Sequence, residues 1–356
     1  MDPNATVPSP NPHSWTKLAN ILYIDQPVGT GYSGGGDRAT LNVQVTQDFE
    51  IWLKAFYDVF PRLRSKNTYI MGESYSGIFI PYFTQAILAN NNSLSVNLSA
   101  IPIGDSAFGN LAALSETVTI SYMNQQNQIL GITQDVLDVF DQAHQRRGFV
   151  DVLQQVTYPL YGKNEIPGGP EGESFRLKRL QRDFSEDGCV PDSNTPALFE
   201  FVNKQLQWRM CYCNNNTVLD TLSWEYVEPP AYWITPAILE AGIGIHIYSG
   251  DYDFLPNHLG TELAIQNMTW CGKQGLQAAP NNTFLVDGKN LGNWGAEVSS
   301  SAFQPCPSLL IINILGARHA VPHDQPAAAF AFIRDFVVGT IRVFLENRRW
   351  QNVVLE

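Results

Sequence analysis

The chain has 356 residues, 44% of them hydrophobic and 12% aromatic, enough apolar material for one large core or two domains. A formal net charge of −12 argues against a nucleic-acid partner, whose phosphates such a surface repels. No apolar run approaches the ~20 residues that span a bilayer.

Residues 1–12 have neither the basic start nor the apolar stretch of a signal peptide. Asn-x-Ser/Thr sequons at Asn4, Asn91, Asn97, Asn215, Asn267 and Asn281 nevertheless lend mild support to a secretory route. Asn20 to Asp25 is expected as a strand running into a Gly-rich turn, Gln26 to Ser33. Dinucleotide spacing and a Walker lysine are both missing there, so the turn reads as a shaped loop beside a pocket. Val45, Phe49, Leu53, Phe56 and Phe60 mark an amphipathic helix that Pro61 ends.

Thr68 to Met71 then reads as a short strand, stopped at Gly72, with Ser74 two residues on. Ile78, Phe79, Tyr82, Phe83, Ile87 and Leu88 follow at helical spacing. A strand, a tight turn with serine at its apex and a helix form a nucleophile elbow, whose tight turn needs small neighbours such as Gly72 and Ser76. The plain alternative is an ordinary strand-to-helix turn. A second Gly-x-Ser, Gly172-Glu173-Ser174, has no strand before it and reads as a loop.

Ala100 to Gly104 is a further strand, and the alternation so far predicts a parallel sheet covered on both faces. From Tyr122 to Tyr232 the alternation stops, although Val136 to Phe140 looks helical. Cys189, Cys211 and Cys213 fall in this stretch, while Cys271 and Cys306 lie beyond it. Metal-ligand spacing is absent, so disulfides are the better reading: Cys271 with Cys306, and Cys189 with Cys211 or Cys213. Gly244 to Ser249 and Leu309 to Leu315 return to strand, and Ala327 to Phe344 reads as a closing amphipathic helix. The expected organisation is α/β: residues 1–121 and 233–356 as two parts of one core, with a helical, disulfide-braced insertion at 122–232.

A serine nucleophile needs a base, and the base an orienting acid. Of six histidines, His246 lies inside a strand and His258 begins a helix. His13 and His144 precede or interrupt the relevant elements. His319 follows the Leu309–Leu315 strand by four residues, a position that a parallel sheet delivers to the same edge as Ser74. His323 shares that loop. The acid follows the preceding strand; Asp253 is favoured, with Asp251 bracing the turn.

Four segments now resemble the serine carboxypeptidase family in order and spacing, from about Asn11 to Phe336. They are Asp25-Gln-Pro-Val-Gly-Thr-Gly31, Gly72-Glu-Ser-Tyr-Ser-Gly77, Gly250-Asp-Tyr-Asp-Phe254 with Asn257, and Gly316-Ala-Arg-His-Ala-Val-Pro322 followed by Asp324-Gln-Pro326. The resemblance, greatest to fungal secreted or vacuolar members, implies an α/β-hydrolase fold with a mostly parallel sheet. It implies Ser74 as nucleophile, His319 as base, Asp253 as its orienter and the Tyr75 N–H as an oxyanion donor. Glu73, Gly29, Thr30 and Gly31 would bind substrate. Substrates would be peptide or protein C-termini, cleaved by a monomer or homodimer that is secreted or vacuolar, with no cofactor or metal.

The family's Gly-Gly-Pro-Gly-Cys-Ser segment, source of a second oxyanion donor, is expected to precede the matched region, and this chain begins after it. Some sheet strands and a cysteine partner for Cys211 or Cys213 would be missing with it. One lost oxyanion donor costs about 3 kcal/mol. An impaired carboxypeptidase, a carboxypeptidase-like binding protein and an acyltransferase on the same triad are therefore all expectations. Arg318 stands where the family usually has a small residue.

Overall fold

The computed structural model describes residues 10–107, 109, 114, 117–158, 233–254, 256–297 and 308–339. Its first long element is helix α1 (Asn42–Val59). Val45, Phe49, Leu53 and Tyr57 recur at helical spacing and are buried. Phe49 stacks on Phe83 of α2 (Ser76–Ala89), with ring centroids 4.0 Å apart, so the two helices share an aromatic seam. A short α3 (Asn91–Leu94) follows.

The expected elbow strand is split into β1 (Thr68–Tyr69) and β2 (Gly72–Glu73), both parallel to β3 (Leu98–Gly104). Helices α4 (Thr119–Gln125), α5 (Asn127–Leu130), α6 (Gln134–Arg147) and α7 (Phe149–Gln155) come next. The expected 122–232 insertion would begin within α4, at Tyr122, and take in α5 to α7. Beyond residue 158 that insertion, with Gly172-Glu173-Ser174, lies outside the described residues.

The chain re-enters through α8 (Thr235–Glu240) into β4 (Gly244–Gly250), then α9 (His258–Gln266) and a separate antiparallel pair, β5 (Thr269–Trp270) and β6 (Lys273–Gln274). An antiparallel hairpin, β7 (Asn282–Val286) and β8 (Lys289–Glu297), leads to β9 (Leu309–Ile314). The described chain closes with α10 (Val321–Asp324) and α11 (Pro326–Phe332). The main sheet runs β1-β3-β4-β9-β8-β7, with β2 beside β3. β3, β4 and β9 are parallel, whereas β8 runs against β9.

The central strands read as continuous apolar runs because both faces are covered. Ile245, Ile247 and Ile311 pack with Ile238 of α8 and Ile265 of α9. Leu310, Ile312 and Ile314 point the other way, onto Ala328 and Phe332 of α11. This two-sided, mostly parallel architecture is the α/β-hydrolase fold expected from the sequence.

Three local expectations change. Asn20 to Asp25 has no regular secondary structure and joins no ladder among the described residues; Leu22 and Tyr23 are 53% and 81% exposed. A β-prone run without a hydrogen-bonding neighbour does not make a strand. The final helix loosens after Phe332 into a π-helical turn, Ile333–Val338, and residues 340–344 lie outside the described chain. The β7–β8 hairpin was not anticipated, although Asp287 and Gly288, with φ of 50° and 74°, form the kind of two-residue turn that announces one. Cys271 is disulfide-bonded, and the other four cysteines lie outside the described residues.

Candidate active site

Register places the loops that matter on one rim. Glu73 of β2 pairs with Gly104 of β3, Gly104 with Tyr248 of β4, and Gly250 with Ile314 of β9. Ser74, Asp253 and His319 follow the carboxyl ends of β2, β4 and β9, where open α/β sheets bind ligands.

Ser74 has φ of 62°, in the left-handed region that non-glycine residues seldom adopt. Its N–H donates to Gly104 O at 2.8 Å, and its carbonyl accepts from Gly77 and Ala107 at 3.0 and 3.1 Å. Such a conformation costs of order 1–3 kcal/mol and persists only where surrounding bonds hold it. Gly72 allows the turn to close: a Cβ there would lie 2.5 Å from Ser76 Oγ, which donates to Glu73 O. Tyr75 caps α2, placing the helix N-terminus behind the serine.

His319 Nδ1 lies 2.6 Å from Asp253 Oδ2. Asp253 is fully buried, and the His319 side chain is 18% exposed, leaving the imidazole within reach of solvent. Burial alone would push the His319 imidazolium down; the hydrogen bond and charge of Asp253 outweigh it and hold it above its ordinary value. Asp251 braces the turn as expected. Its N–H donates to Ile314 O, and its carboxylate accepts from Gly316 N–H at 2.6 Å, tying the acid loop to the base loop. A Cβ on Gly250 would meet Ala317 O at 2.4 Å, so only glycine lets these loops touch. From above, α4 packs Tyr122 and Met123 with Phe254, and Gln126 donates to Asp251 O. Asn257 caps α9 through Gly260 N–H and donates to Phe254 O, closing the acid loop from below.

His323 is separated from this pair: it is exposed and meets Asp324 at 3.0 Å. Arg318 also turns to Asp324, through its backbone N–H at 2.9 Å and its Nε at 2.7 Å. Burial opposes ionisation of Asp324, but hydrogen bonds from Arg318 and then His323 hold its carboxyl down at about 2. The arginine thus clamps the His319 loop onto α10. Arg318→Ala should therefore lose about 2 kcal/mol in thermal or denaturant unfolding, the scale of bonds to a charged group; an unchanged midpoint would remove the clamp.

Glu73, next to Ser74, is pushed up to about 7, first by burial and also by Asp253, against the opposing pull of His319. These mutual effects put Glu73, Asp253 and His319 in one electrostatic neighbourhood. The Gly-rich turn is shaped by its own bonds: Gly29 N–H to Ser33 O, Thr30 N–H and Oγ to Pro27 O, and Tyr32 N–H to Asp25. The side-chain pair formed at this rim is His319 with Asp253, at 2.6 Å.

Sequence reasoning overlooked Asp105. It follows β3 directly, is fully buried, and places a carboxyl oxygen within 4.8 Å of oxygen and nitrogen atoms of Asp253 and His319. Its signal was an acid at the end of a buried parallel strand. The three could not readily serve as a metal site, because Asp253 already holds the His319 ring nitrogen nearest it.

Comparison with known proteins identifies the family. The family described as serine carboxypeptidase matches residues 2–151 and 197–339. A carboxypeptidase Y homolog of Arthroderma benhamiae is 28% identical over 94% of this chain and 78% of its own. Carboxypeptidase Y of Schizosaccharomyces pombe is 25% identical over 94% of this chain and 35% of its own, and serine carboxypeptidase-like 47 of Arabidopsis thaliana 27% over 93% and 66%. The crystal structure of a prohormone-processing carboxypeptidase, Kex1(delta)p of Saccharomyces cerevisiae, superposes with a TM-score of 0.58 at 21% identity, covering 93% of this chain and 76% of that one. That likeness concerns the fold, and the family match covers most of the sequence. The chain belongs to the serine carboxypeptidase family.

Proposed function

We propose that the chain removes C-terminal residues from peptides through an acyl-enzyme on Ser74. The observation that carries this reading is the buried 2.6 Å pair of Asp253 and His319 on the rim where a strained elbow presents Ser74. Ser74 Oγ attacks the carbonyl carbon of the last peptide bond while His319 Nε2 takes the hydroxyl proton. Asp253 holds the ring in the tautomer that leaves Nε2 free to accept. The Tyr75 N–H, at the α2 N-terminus, stabilises the oxyanion. His319 then gives its proton to the leaving amine, and water enters by the same base to release the shortened peptide.

Glu73 supplies the recognition of a chain end. A protonated carboxyl donates to the substrate's terminal carboxylate, whereas an ionised one repels it. Gly29, Thr30 and Gly31 are assigned to contact with the substrate alongside it. The disulfide at Cys271 and the sequons support a secreted or vacuolar setting, since disulfides persist in oxidising compartments.

A second reading is a binding protein that uses the same rim without acylation of Ser74. A fluorophosphonate separates the two. Covalent labelling at Ser74, lost in Ser74→Ala, together with release of free C-terminal amino acids, is the expected result. A folded chain that takes no label at any pH would leave the binding reading.

A further inference from the structure

Asp105 has no part in the reaction as described, yet the fold maintains it at a cost. Its φ is 38°, again left-handed for a residue with a side chain. Its N–H donates to Tyr248 O at 2.8 Å, and its Oδ1 accepts from Gly250 N–H at 2.9 Å. Its Oδ2 is buried and has no hydrogen-bond partner among the described residues. Among the described residues five titratable groups face it: Asp253 after β4, Glu73 from β2, Tyr248 from β4, Tyr122 from α4 and His319 after β9. Four of the five are acids.

Two carboxylates this close in a water-poor site do not both ionise. Asp253 is committed to His319, so the second charge has to be absent from its neighbour. Burial first, then the charges of Asp253 and Glu73, push the Asp105 carboxyl well above the usual range. As two bare carboxylates the pair makes no hydrogen bond; a proton on the unpartnered oxygen turns their contact into one.

We propose that Asp105 is a positioning residue that keeps a proton and donates it in a hydrogen bond to Asp253, so that a single negative charge stands behind His319. This rests on the triad reading above. Its consequence is control of the base. A second anion behind the imidazole would raise its proton affinity and leave it charged, and idle, at the pH where it should accept from Ser74. A neutral donor instead fixes the Asp253 carboxylate without adding charge.

The test follows the rate of fluorophosphonate labelling of Ser74 from about pH 5 to about pH 9, a probe without a terminal carboxylate and so independent of Glu73 binding. Asp105→Asn keeps a neutral donor. It should leave the acid limb, which reports His319, within about 0.3 pH unit of the wild type and retain most of the rate. Asp105→Ala removes the donor and should lose roughly tenfold at every pH. A downward shift of the acid limb by about one unit or more in Asp105→Asn would show that an anion had been removed, and would overturn the proposal. So would equal losses in the two variants.

Infrared difference spectroscopy of the wild type against Asp105→Asn decides the same point without turnover. Above about pH 8, beyond the value of about 7 to which Glu73 and Asp251 are pushed, a protonated-carboxyl band should remain in the wild type and be lost in Asp105→Asn; Glu262, whose carboxyl burial also raises, is common to both proteins and cancels. Absence of that band would sink the inference. A wild type that takes no label would count against the triad reading, and the infrared result would still stand by itself.

Discussion

Asp253→Asn is expected to slow acylation of Ser74 by roughly 10⁴-fold while leaving the fold and peptide affinity close to wild type. Asp253 Oδ2 sits 2.6 Å from His319 Nδ1, and the acid is fully buried. Asparagine fills the same space, so packing survives. Its amide can present an N–H to Nδ1, which moves the ring proton to Nε2. A ring protonated there has no lone pair for the Ser74 hydroxyl. The imidazolium formed in the transition state also loses its counter-charge. Single-turnover labelling, with circular dichroism and peptide binding as controls, measures this directly. Labelling within tenfold of wild type would mean that Asp253 does not orient the base, and the acid would have to be sought at Asp105 or Asp251.

That competition among three aspartates marks how far residue order can be read. The elbow was legible because its requirements are local: a small residue at Gly72, serine at the apex, and an apolar helical period beginning at Ile78. His319 and Asp253 were legible because a parallel sheet sends every loop after a strand to one edge, so strand order alone brought residues 66 apart into a pair. His323, four residues along, shows why the chemistry also needed the structure, since the turn of α10 carries it to Asp324 and solvent.

What was illegible depended on contacts across the sheet. Asp105 looks in sequence like an ordinary turn acid; only the closeness of β3 and β4 reveals a carboxyl without a solvent outlet. Arg318 looked like a departure beside the base, and its bonds to Asp324 make it a loop clamp. Asn20 to Asp25 failed as a strand because intrinsic preference says nothing about whether a neighbouring edge is there to pair with it.

Glu73→Gln is the second substitution with a large expected effect, and its signature is a pH dependence. Glu73 is pushed up to about 7, chiefly by burial, so it is mostly neutral below that value and mostly ionised above it. In the wild type, KM for peptides with a free C-terminus should climb about tenfold for each pH unit beyond 7, as the carboxyl that donates to the terminal carboxylate becomes an anion. Glutamine is a neutral donor throughout, so the rise should flatten. Peptides with an amidated C-terminus, which carry no terminal charge, should show little difference between the two proteins. The same ionisation reaches stability with a definite sign. Between the ordinary carboxyl range and about pH 7 the folded chain holds a proton that the unfolded chain has released, so this group's contribution to stability falls as pH rises through that window. Glu73→Gln should remove that fall and melt higher than wild type at about pH 8, relative to each protein at about pH 5. Parallel KM profiles and parallel melting curves would together show that Glu73 neither titrates in this window nor meets the substrate's terminus.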